Sequence, residues 1–297
     1  MSPPLHAATV VPLRDRAAGG FELFMVKRHD KSGFMASAHV YPGGKLDEAD
    51  CAATTAACCE GVSAEQAAAL MAPLGERLSD DAPLSPERAL GLFVAAVREV
   101  FEESGLLLAR EAGPGGAALS FEDPEVAARF STWRQQLWSG ALSMTELAER
   151  EGLVYTLGEL RYFAHWITPE VEPRRFNTRF FFARAPAGQI PLHDDRETVA
   201  SGWFSPAEAL DRHDKGEIFL APPTLRTLED MRPFSSVEAV MAAAPERCVA
   251  IMPRFAELDG RLTLLLPGDP LYPHPIGVQG PTRVELAQER WWSRHAG

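Results

Sequence analysis

Apolar and polar positions alternate in two stretches near the start of the chain, and this alternation predicts two β-strands. The stretches are HAATVVPLR and FELFMVKRH, and the Gly-containing segment DRAAGG joins them. A short turn between two alternating runs is typical of a β-hairpin. A third, shorter strand is expected in AHVYPGGKLD, where it runs into a Pro-Gly-Gly turn.

Residues 91–103 carry a helical pattern. Apolar side chains recur there at the spacing of one helix face, at Phe93, Val94, Val97, Val100 and Phe101. Gly105 follows at a position where glycine commonly ends a helix. The preceding residues, 51–90, are rich in alanine, and we predict a loop and a helix there.

The remaining pattern predicts alternating groups of helices and strands. Residues 123–150 fit two short helices, and strands are expected in LRYFAHWITPE, in NTRFFFARAP and after DDRETVA. Two helices that each begin near a proline follow, in PAEALDRHDKGEI and PPTLRTLEDM. Two strands joined by a Leu-Asp-Gly turn come last. This order predicts an α+β fold, an α/β/α sandwich around one sheet.

Composition narrows the class of protein. With 297 residues, of which 46% are hydrophobic, the chain is long enough to bury a sizeable core. Its formal charge of -12 argues against nucleic acid as a partner, since proteins that bind nucleic acid usually carry a basic surface. We expect no membrane span and no secretory signal in this sequence. The four cysteines form no C-x-x-C pair, so we interpret them as reduced thiols of a cytoplasmic protein.

Three carboxylates mark the end of the predicted helix. Glu99, Glu102 and Glu103 share one helix face, while Val94 and Val97 on the opposite face suit a core. Carboxylate oxygens are the ligands that Mg²⁺ and Mn²⁺ prefer. A cluster of three carries more charge than one ion needs, which favours several ions and a phosphate-containing substrate. The alternative is an ordinary solvated acidic surface.

The stretch upstream of this helix favours the metal site over the solvated acidic surface. YPGGKLDEAD followed by REVFEESGL resembles the Nudix box, G-x5-E-x7-R-E-U-x-E-E-x-G-U, in which U is aliphatic. Gly44 matches the first glycine, and residues 98–106 match the second half of the box in full. Asp50 stands where the box has its first glutamate, and Arg98 lies 40 residues beyond its usual position. The interrupted box resembles a branch of the Nudix hydrolases that includes the peroxisomal coenzyme A diphosphatase.

The resemblance implies a Nudix domain over 1–235, with helical insertions at about 51–90 and 111–157. A C-terminal β-hairpin extension, 236–297, would pack on the same domain. The insertions would shape a pocket for a pantetheine or acyl tail, or alternatively form a homodimer interface.

The resemblance also implies the site residues. Glu99, Glu102 and Glu103 match metal ligands, Gly44 matches a backbone carbonyl that often contributes, and Arg98 matches an arginine that orients the carboxylates. Glu197 is a candidate for an additional ligand or general base, or else a plain surface residue. The implied catalytic residues are Glu102, Glu99, Arg98 and Glu197, with Mg²⁺ or Mn²⁺ as cofactor.

The implied reaction is hydrolysis of a nucleoside diphosphate linked to another group, with coenzyme A or acyl-coenzyme A as leading substrates. ADP-ribose or a dinucleotide is an alternative substrate, and a non-catalytic nucleotide sensor is an alternative function. Five basic residues are candidates for binding the diphosphate, because arginine in particular suits phosphate oxygens: Lys27, Arg28, Arg174, Arg175 and Arg179. Three aromatic residues are candidates for stacking on adenine, with core packing as the alternative: Phe34, Tyr41 and Phe176.

Overall fold

The computed structural model describes residues 3–29, 37–74, 78, 80–194, 198–273 and 277–296. Its strands are β1 (Leu5–Asp15), β2 (Phe21–Arg28), β3 (Ala38–Val40), β4 (Gly43–Lys45), β5 (Cys59–Glu60), β6 (Ala109–Glu111), β7 (Leu153–Thr156), β8 (Arg161–Ile167), β9 (Phe176–Arg184), β10 (Thr198–Phe204), β11 (Phe219–Leu220), β12 (Ala250–Ile251), β13 (Arg254–Leu258), β14 (Arg261–Leu265), β15 (Arg283–Ala287) and β16 (Arg290–Arg294). Its α-helices are α1 (Ala53–Ala56), α2 (Ala64–Leu70), α3 (Pro86–Ser104), α4 (Pro124–Trp138), α5 (Met144–Glu151), α6 (Pro206–Asp214), α7 (Pro222–Met231) and α8 (Val237–Ala242). Short 3₁₀ helices cover Glu48–Cys51 and Leu157–Glu159. No helix in these described ranges is long and apolar enough to cross a membrane.

A mixed sheet of nine strands forms the centre of the molecule. Its main path runs β11-β3-β2-β1-β9-β8-β12, while β10 pairs with β2 and β4 pairs with β1. The predicted hairpin is confirmed, because β1 and β2 pair antiparallel with Leu13 opposite Leu23. On its other side β1 runs parallel to β9, which lies far away in the sequence.

Helices cover both faces of this sheet, as the predicted sandwich requires. One apolar cluster joins α3 to Val10 of β1 and Phe181 of β9. The other joins α6, α7 and α8 to Val11 and Phe182 on the same two strands. Neighbouring residues of each strand therefore face opposite layers, as the pleat of a β-strand dictates.

Helix α3 is longer than the apolar pattern indicated, because its start depends on capping and not on periodicity. Ser85 caps it by accepting a hydrogen bond from the Arg88 backbone N–H at 3.3 Å, and Pro86 occupies the first turn. Gly105 ends the helix with φ at 77°, a left-handed conformation that glycine adopts at little cost. The carboxylates therefore lie on the last turns of a rigid, 19-residue helix.

The two insertions form a shared subassembly of helices and a small sheet. Helices α1 and α2 lie in the first insertion, and α4 and α5 in the second. Strand β5 from the first pairs parallel with β7 from the second, and β6 completes a three-stranded sheet. Besides the predicted helices, the insertions therefore contain short strands, which lie about 95 positions apart and leave no periodic pattern in the sequence.

The C-terminal residues form a second, four-stranded antiparallel sheet in the order β13-β14-β15-β16. Hairpin β13–β14 turns at Asp259 and Gly260, both with positive φ. Leu264 and Val284 belong to the same core cluster as α6, α7 and α8. The position of a domain boundary at residue 235 stays a prediction.

Candidate active site

Arg98 lies at the centre of a cluster of carboxylates at the end of α3. Its Nη1 donates to Glu99 Oε1 at 2.8 Å and to Glu102 Oε2 at 3.3 Å. Its Nη2 donates to the Lys45 backbone carbonyl at 2.8 Å. Asp47 lies at 3.6 Å from the same nitrogen. A single buried cation therefore orients several carboxylates that would otherwise repel each other.

Asp50 is the residue whose position the interrupted box left uncertain, and it lies against Arg98. Its two carboxylate oxygens accept hydrogen bonds from Arg98 Nε and Nη2, each at 2.9 Å. Such a two-pronged pair restricts the orientation of the guanidinium. The inserted residues between Asp50 and Arg98 thus leave the two halves of the box in contact.

Strand β4 lies close to the same end of α3, and Gly44 is the residue that faces Glu99. A Cβ added to Gly44 would lie 2.4 Å from Glu99 Oε1. The Gly43 backbone N–H donates to Glu103 Oε2 at 3.0 Å. Glu103 is therefore directed towards the strand, whereas Glu99 and Glu102 face an open cavity.

Burial changes the proton affinity of these groups. Loss of solvation raises the pKa of Glu99 to about 8, and the neighbouring Arg98 only partly offsets it. Burial also raises the pKa of Glu102. Burial opposes the charged form of Arg98, but hydrogen bonds to Asp50 and the charges of Glu99 and Glu102 raise its pKa above the ordinary value. The cluster therefore carries an excess of carboxylates whose charge is poorly stabilised by the protein alone.

A cavity of about 580 Å³ opens beside the cluster. Glu99, Glu102 and Gly44 form part of its wall at one end. Residues that the sequence interpretation missed also line it, including Lys45 and Asp47 of the box stretch and Trp138 at the end of α4. Lys45 and Asp47 had a usable signal, since both lie in GGKLD. The aromatic spacing around Trp138 suggested a binding set but favoured core packing, whereas the structure exposes this side chain at the cavity and so brings the second insertion to the pocket.

The structure separates the five predicted diphosphate ligands. Arg28 and Arg174 line the cavity, whereas Lys27 is not among the described residues of its wall. Arg28 Nε is buried and has no hydrogen-bond partner among the described residues. Tyr41 also lines the cavity, and its hydroxyl is likewise buried without a hydrogen-bond partner among the described residues. These two groups leave donors available for an oxygen-rich ligand.

Arg175 and Arg179 are structural, which corrects the expectation that they bind substrate. Arg175 is buried and donates to Asp80 Oδ2 at 2.6 Å and to the Thr168 carbonyl at 3.0 Å. Arg179 is fully buried and donates to Asn177. The RRFNTRFFF stretch is part of strand β9 and its approach, so every second side chain points away from the cavity.

Two predicted residues, Glu197 and Phe34, lie outside the described residues. Tyr41 and Phe176, the other candidates for stacking on adenine, both line the cavity.

The donor set at the cavity fits a divalent ion in chemistry, although the described residues contain no ready-made group of three ligands. Arg98 contacts both Glu99 and Glu102, and Glu103 accepts its bond from Gly43. Glu99 and Glu102 offer the oxygen ligands that hard cations prefer. Their excess negative charge, held in a partly buried site, is what a bound cation would neutralise.

The fold and this arrangement define a Nudix hydrolase, an enzyme that acts on phosphoric anhydride bonds. A Nudix hydrolase from Alicyclobacillus acidocaldarius superposes with a TM-score of 0.59 at 26% identity, covering 82% of this chain and 97% of that one. Enzymes of this superfamily generally use divalent metal ions.

Comparison with known proteins identifies the family within the Nudix hydrolases to which the chain belongs. The family model described as the NUDT19 Nudix domain matches residues 5–231, and the chain belongs to this family. It is 30% identical over 302 residues to the acyl-coenzyme A diphosphatase NUDT19 of Gallus gallus, covering 91% of this chain and 78% of the relative. It is also 30% identical over 291 residues to the protein of that name in Homo sapiens, covering 88% and 75%.

Proposed function

We propose that this enzyme hydrolyses the diphosphate of coenzyme A and acyl-coenzyme A. The observation that carries the proposal is the set of residues that line the cavity. Glu99, Glu102 and Arg28 lie in its wall together with apolar side chains such as Trp166 and Phe180. A molecule with a diphosphate and a long neutral arm matches both kinds of wall. The names of the chicken and human relatives, both acyl-coenzyme A diphosphatases, support the same substrate class.

In this proposal Glu99 and Glu102 hold a divalent ion, and Arg98 positions them. A bound ion at that place would stabilise charge on the diphosphate and lower the pKa of a water molecule. Gly44 would add its backbone carbonyl, and Glu103, which accepts a hydrogen bond from the Gly43 N–H, stays a predicted ligand of the ion. Arg28 and Lys45 would contact diphosphate oxygens, since both line the cavity near the carboxylates.

We propose Mg²⁺ or Mn²⁺ as the ion, because the available side-chain donors are carboxylate oxygens and the cavity wall near them contains neither cysteine nor histidine among the described residues. We also propose a cytoplasmic location, where the four cysteines, all free thiols, stay reduced. A homodimer stays a prediction.

The chemistry is a displacement at phosphorus. Water adds to one phosphorus of the diphosphate, the bridging P–O bond breaks, and the departing phosphate keeps the bonding electron pair. A carboxylate of the Glu99–Glu102 pair accepts the proton of the attacking water. Two phosphomonoesters result, a nucleoside 3',5'-bisphosphate and phosphopantetheine or its acyl ester.

The test is a panel of purified substrates with Mg²⁺ and, separately, Mn²⁺: coenzyme A, octanoyl-coenzyme A, ADP-ribose, a dinucleotide and ATP. We expect the two coenzyme A compounds to be cleaved to the products above, identified by mass spectrometry. Hydrolysis in ¹⁸O-labelled water would show which phosphorus is attacked, because that product gains the label. Cleavage of ADP-ribose or the dinucleotide alone would reject the proposed substrate and keep the class of reaction.

A further inference from the structure

The floor of the active-site cavity crosses several strands of the central sheet. Lys45 of β4 pairs with Ala7 of β1, Ala7 with Thr178 of β9, and Thr178 with Trp166 of β8. All four of these residues line the cavity. Three steps between adjacent strands span about 14 Å. The cavity therefore continues well beyond the carboxylate cluster, towards β8.

The end of the cavity near β8 is apolar. Trp166 shares one apolar cluster with Phe180, Leu264 and Trp291, and all four line the cavity together with Phe176. Glu172 and Arg174, from the segment between β8 and β9, also line the cavity, and their charges are opposite. This wall suits a neutral, apolar group better than a nucleotide phosphate.

Helix α7 begins directly after β11, on the β3 edge of the sheet, and its first two residues offer no backbone donors for an anion. Its first two residues, Pro222 and Pro223, line the cavity and carry no backbone N–H. A helix start ordinarily favours phosphate through its free N–H groups. Here the two pyrrolidine rings present apolar surface to the cavity instead.

The C-terminal sheet supplies one wall of this apolar end. Pro253, Phe255, Leu264 and Trp291 all line the cavity, yet all lie beyond residue 231, where the family match ends. The sheet is attached firmly to the rest of the fold. His213 Nε2 lies 2.9 Å from the Trp291 carbonyl, and Arg254 Nη1 lies 3.1 Å from Glu170 Oε2.

We propose that strands β13 and β14, together with Trp291, form the binding site for the acyl chain of the substrate. This inference rests on the proposed function and extends it, because it assigns the choice of acyl chain to a segment outside the matched domain. The diphosphate lies at Glu99 and Glu102, and the neutral pantetheine arm follows the floor of the sheet to the apolar end. Each methylene buried there adds to binding until the cavity is filled.

Phe255→Ala is the test variant, and Leu262→Ala is its matched control. Both side chains are partly exposed, at 38% and 41%, and both lie on the hairpin β13–β14. Phe255 lines the cavity, whereas Leu262 is not among the described residues of its wall. Because both are exposed, neither truncation is expected to unfold the protein, which circular dichroism checks.

We would measure KM and kcat for coenzyme A, acetyl-, octanoyl- and lauroyl-coenzyme A. For Phe255→Ala we expect KM to rise about tenfold for the octanoyl and lauroyl substrates. We expect kcat and all values for coenzyme A to stay unchanged, because the lost contact acts on the acyl chain and not on the reacting phosphates. Leu262→Ala should match the wild type throughout.

The outcomes separate the two proposals. An equal rise in KM for coenzyme A and lauroyl-coenzyme A would place the nucleotide at this wall and overturn the inference. Unchanged kinetics on every substrate would overturn it as well, with the proposed function intact. Wild-type enzyme that cleaves none of the four would reject the proposed function itself, and the inference with it.

Discussion

Two buried arginines, Arg98 and Arg179, show how differently the same side chain is used in this molecule. Arg98 contacts Asp50, Glu99 and Glu102 beside an open cavity, and these carboxylates raise its pKa. Arg179 is fully buried between strands, and burial lowers its pKa although Asp81 lies 3.9 Å away and opposes the shift. Among the described residues, the first guanidinium contacts several carboxylates, and the second has one carboxylate at 3.9 Å.

This difference distinguishes a buried arginine at a functional site from one with a structural role. An arginine with several carboxylates beside a cavity leaves net negative charge facing solvent, which a cation or a reacting group can use. An arginine closed off in a sheet adds only local structure, and its charge is costly. Burial alone therefore does not distinguish the two, whereas the surplus of partners and the nearby cavity do.

Glu102→Gln should have the largest effect, because it removes one of the two glutamates of α3 that line the cavity. We expect kcat to fall about 100- to 10,000-fold while the fold is retained. Steady-state kinetics and circular dichroism provide the measurement. Glu48→Gln is the control, since Glu48 is an exposed partner of Arg88. A Glu102→Gln enzyme with full activity would contradict the assigned site.

Replacing each arginine by methionine tests the comparison itself. Arg98→Met leaves Asp50, Glu99 and Glu102 without their cation, and we expect the free energy of unfolding to fall by about 3–5 kcal/mol, together with activity. Arg179→Met removes a poorly compensated charge, so the loss should be about 1 kcal/mol with kcat retained. Urea denaturation and kinetics at matched protein concentrations measure both. If the two variants behaved alike, the distinction between the arginines would fail.

Gly44→Ala tests whether the position of the Glu99 carboxylate in the cavity matters for activity. The added Cβ would lie 2.4 Å from Glu99 Oε1, so the carboxylate has to move. We expect activity to fall at least about tenfold, because a small misplacement of a catalytic group is costly. Thermal unfolding should change by only a few degrees. Unaltered kinetics in this variant would mean that the position of Glu99 has no bearing on turnover.

The smallest expected effect is on the pH dependence of the free energy of unfolding of the metal-free protein. The pKa of Glu99 is raised to about 8 by burial, against an ordinary value of 4.5. Between these two values the folded protein holds a proton that the unfolded chain has released, so stability falls as pH rises through this window.

Glu99→Gln removes the cost of that ionisation. Relative to the wild type, the metal-free variant should gain about 1 kcal/mol or more at pH 9 and little at pH 5. Urea denaturation in the presence of a chelator at the two pH values measures the difference. An equal effect at both values would show that Glu99 ionises as freely in the folded protein as in the unfolded chain.

Much of the fold could be predicted from local patterns in the sequence. The first hairpin, helix α3 up to Gly105, and strands β8 and β9 follow from apolar spacing and from the residues that end each element. The carboxylate cluster was also readable, because the spacing within REVFEESGL is local. The arrangement around Asp50 was not, since it depends on how an insertion folds back between two halves of one site.

The remaining features depend on distant pairing or on burial, which local spacing does not encode. Strands β5 and β7 meet across the two insertions, and Trp291 reaches the cavity from the far end of the chain. Arg175 and Arg179 looked like phosphate ligands because an arginine in sequence reveals its charge and not its exposure. Their structural contacts, with Asp80 and Asn177, became visible only in three dimensions.

Manganese binding directly tests whether Glu99 and Glu102 form a metal site, because the measurement requires no substrate. Electron paramagnetic resonance of free Mn²⁺ would be titrated against wild type, Glu48→Gln and the double variant Glu99→Gln/Glu102→Gln. We expect tight Mn²⁺ binding by the first two proteins and a loss of at least about 100-fold in affinity for the third, because hard cations require the carboxylate oxygens. Unchanged affinity in the double variant would contradict a metal site at Glu99 and Glu102.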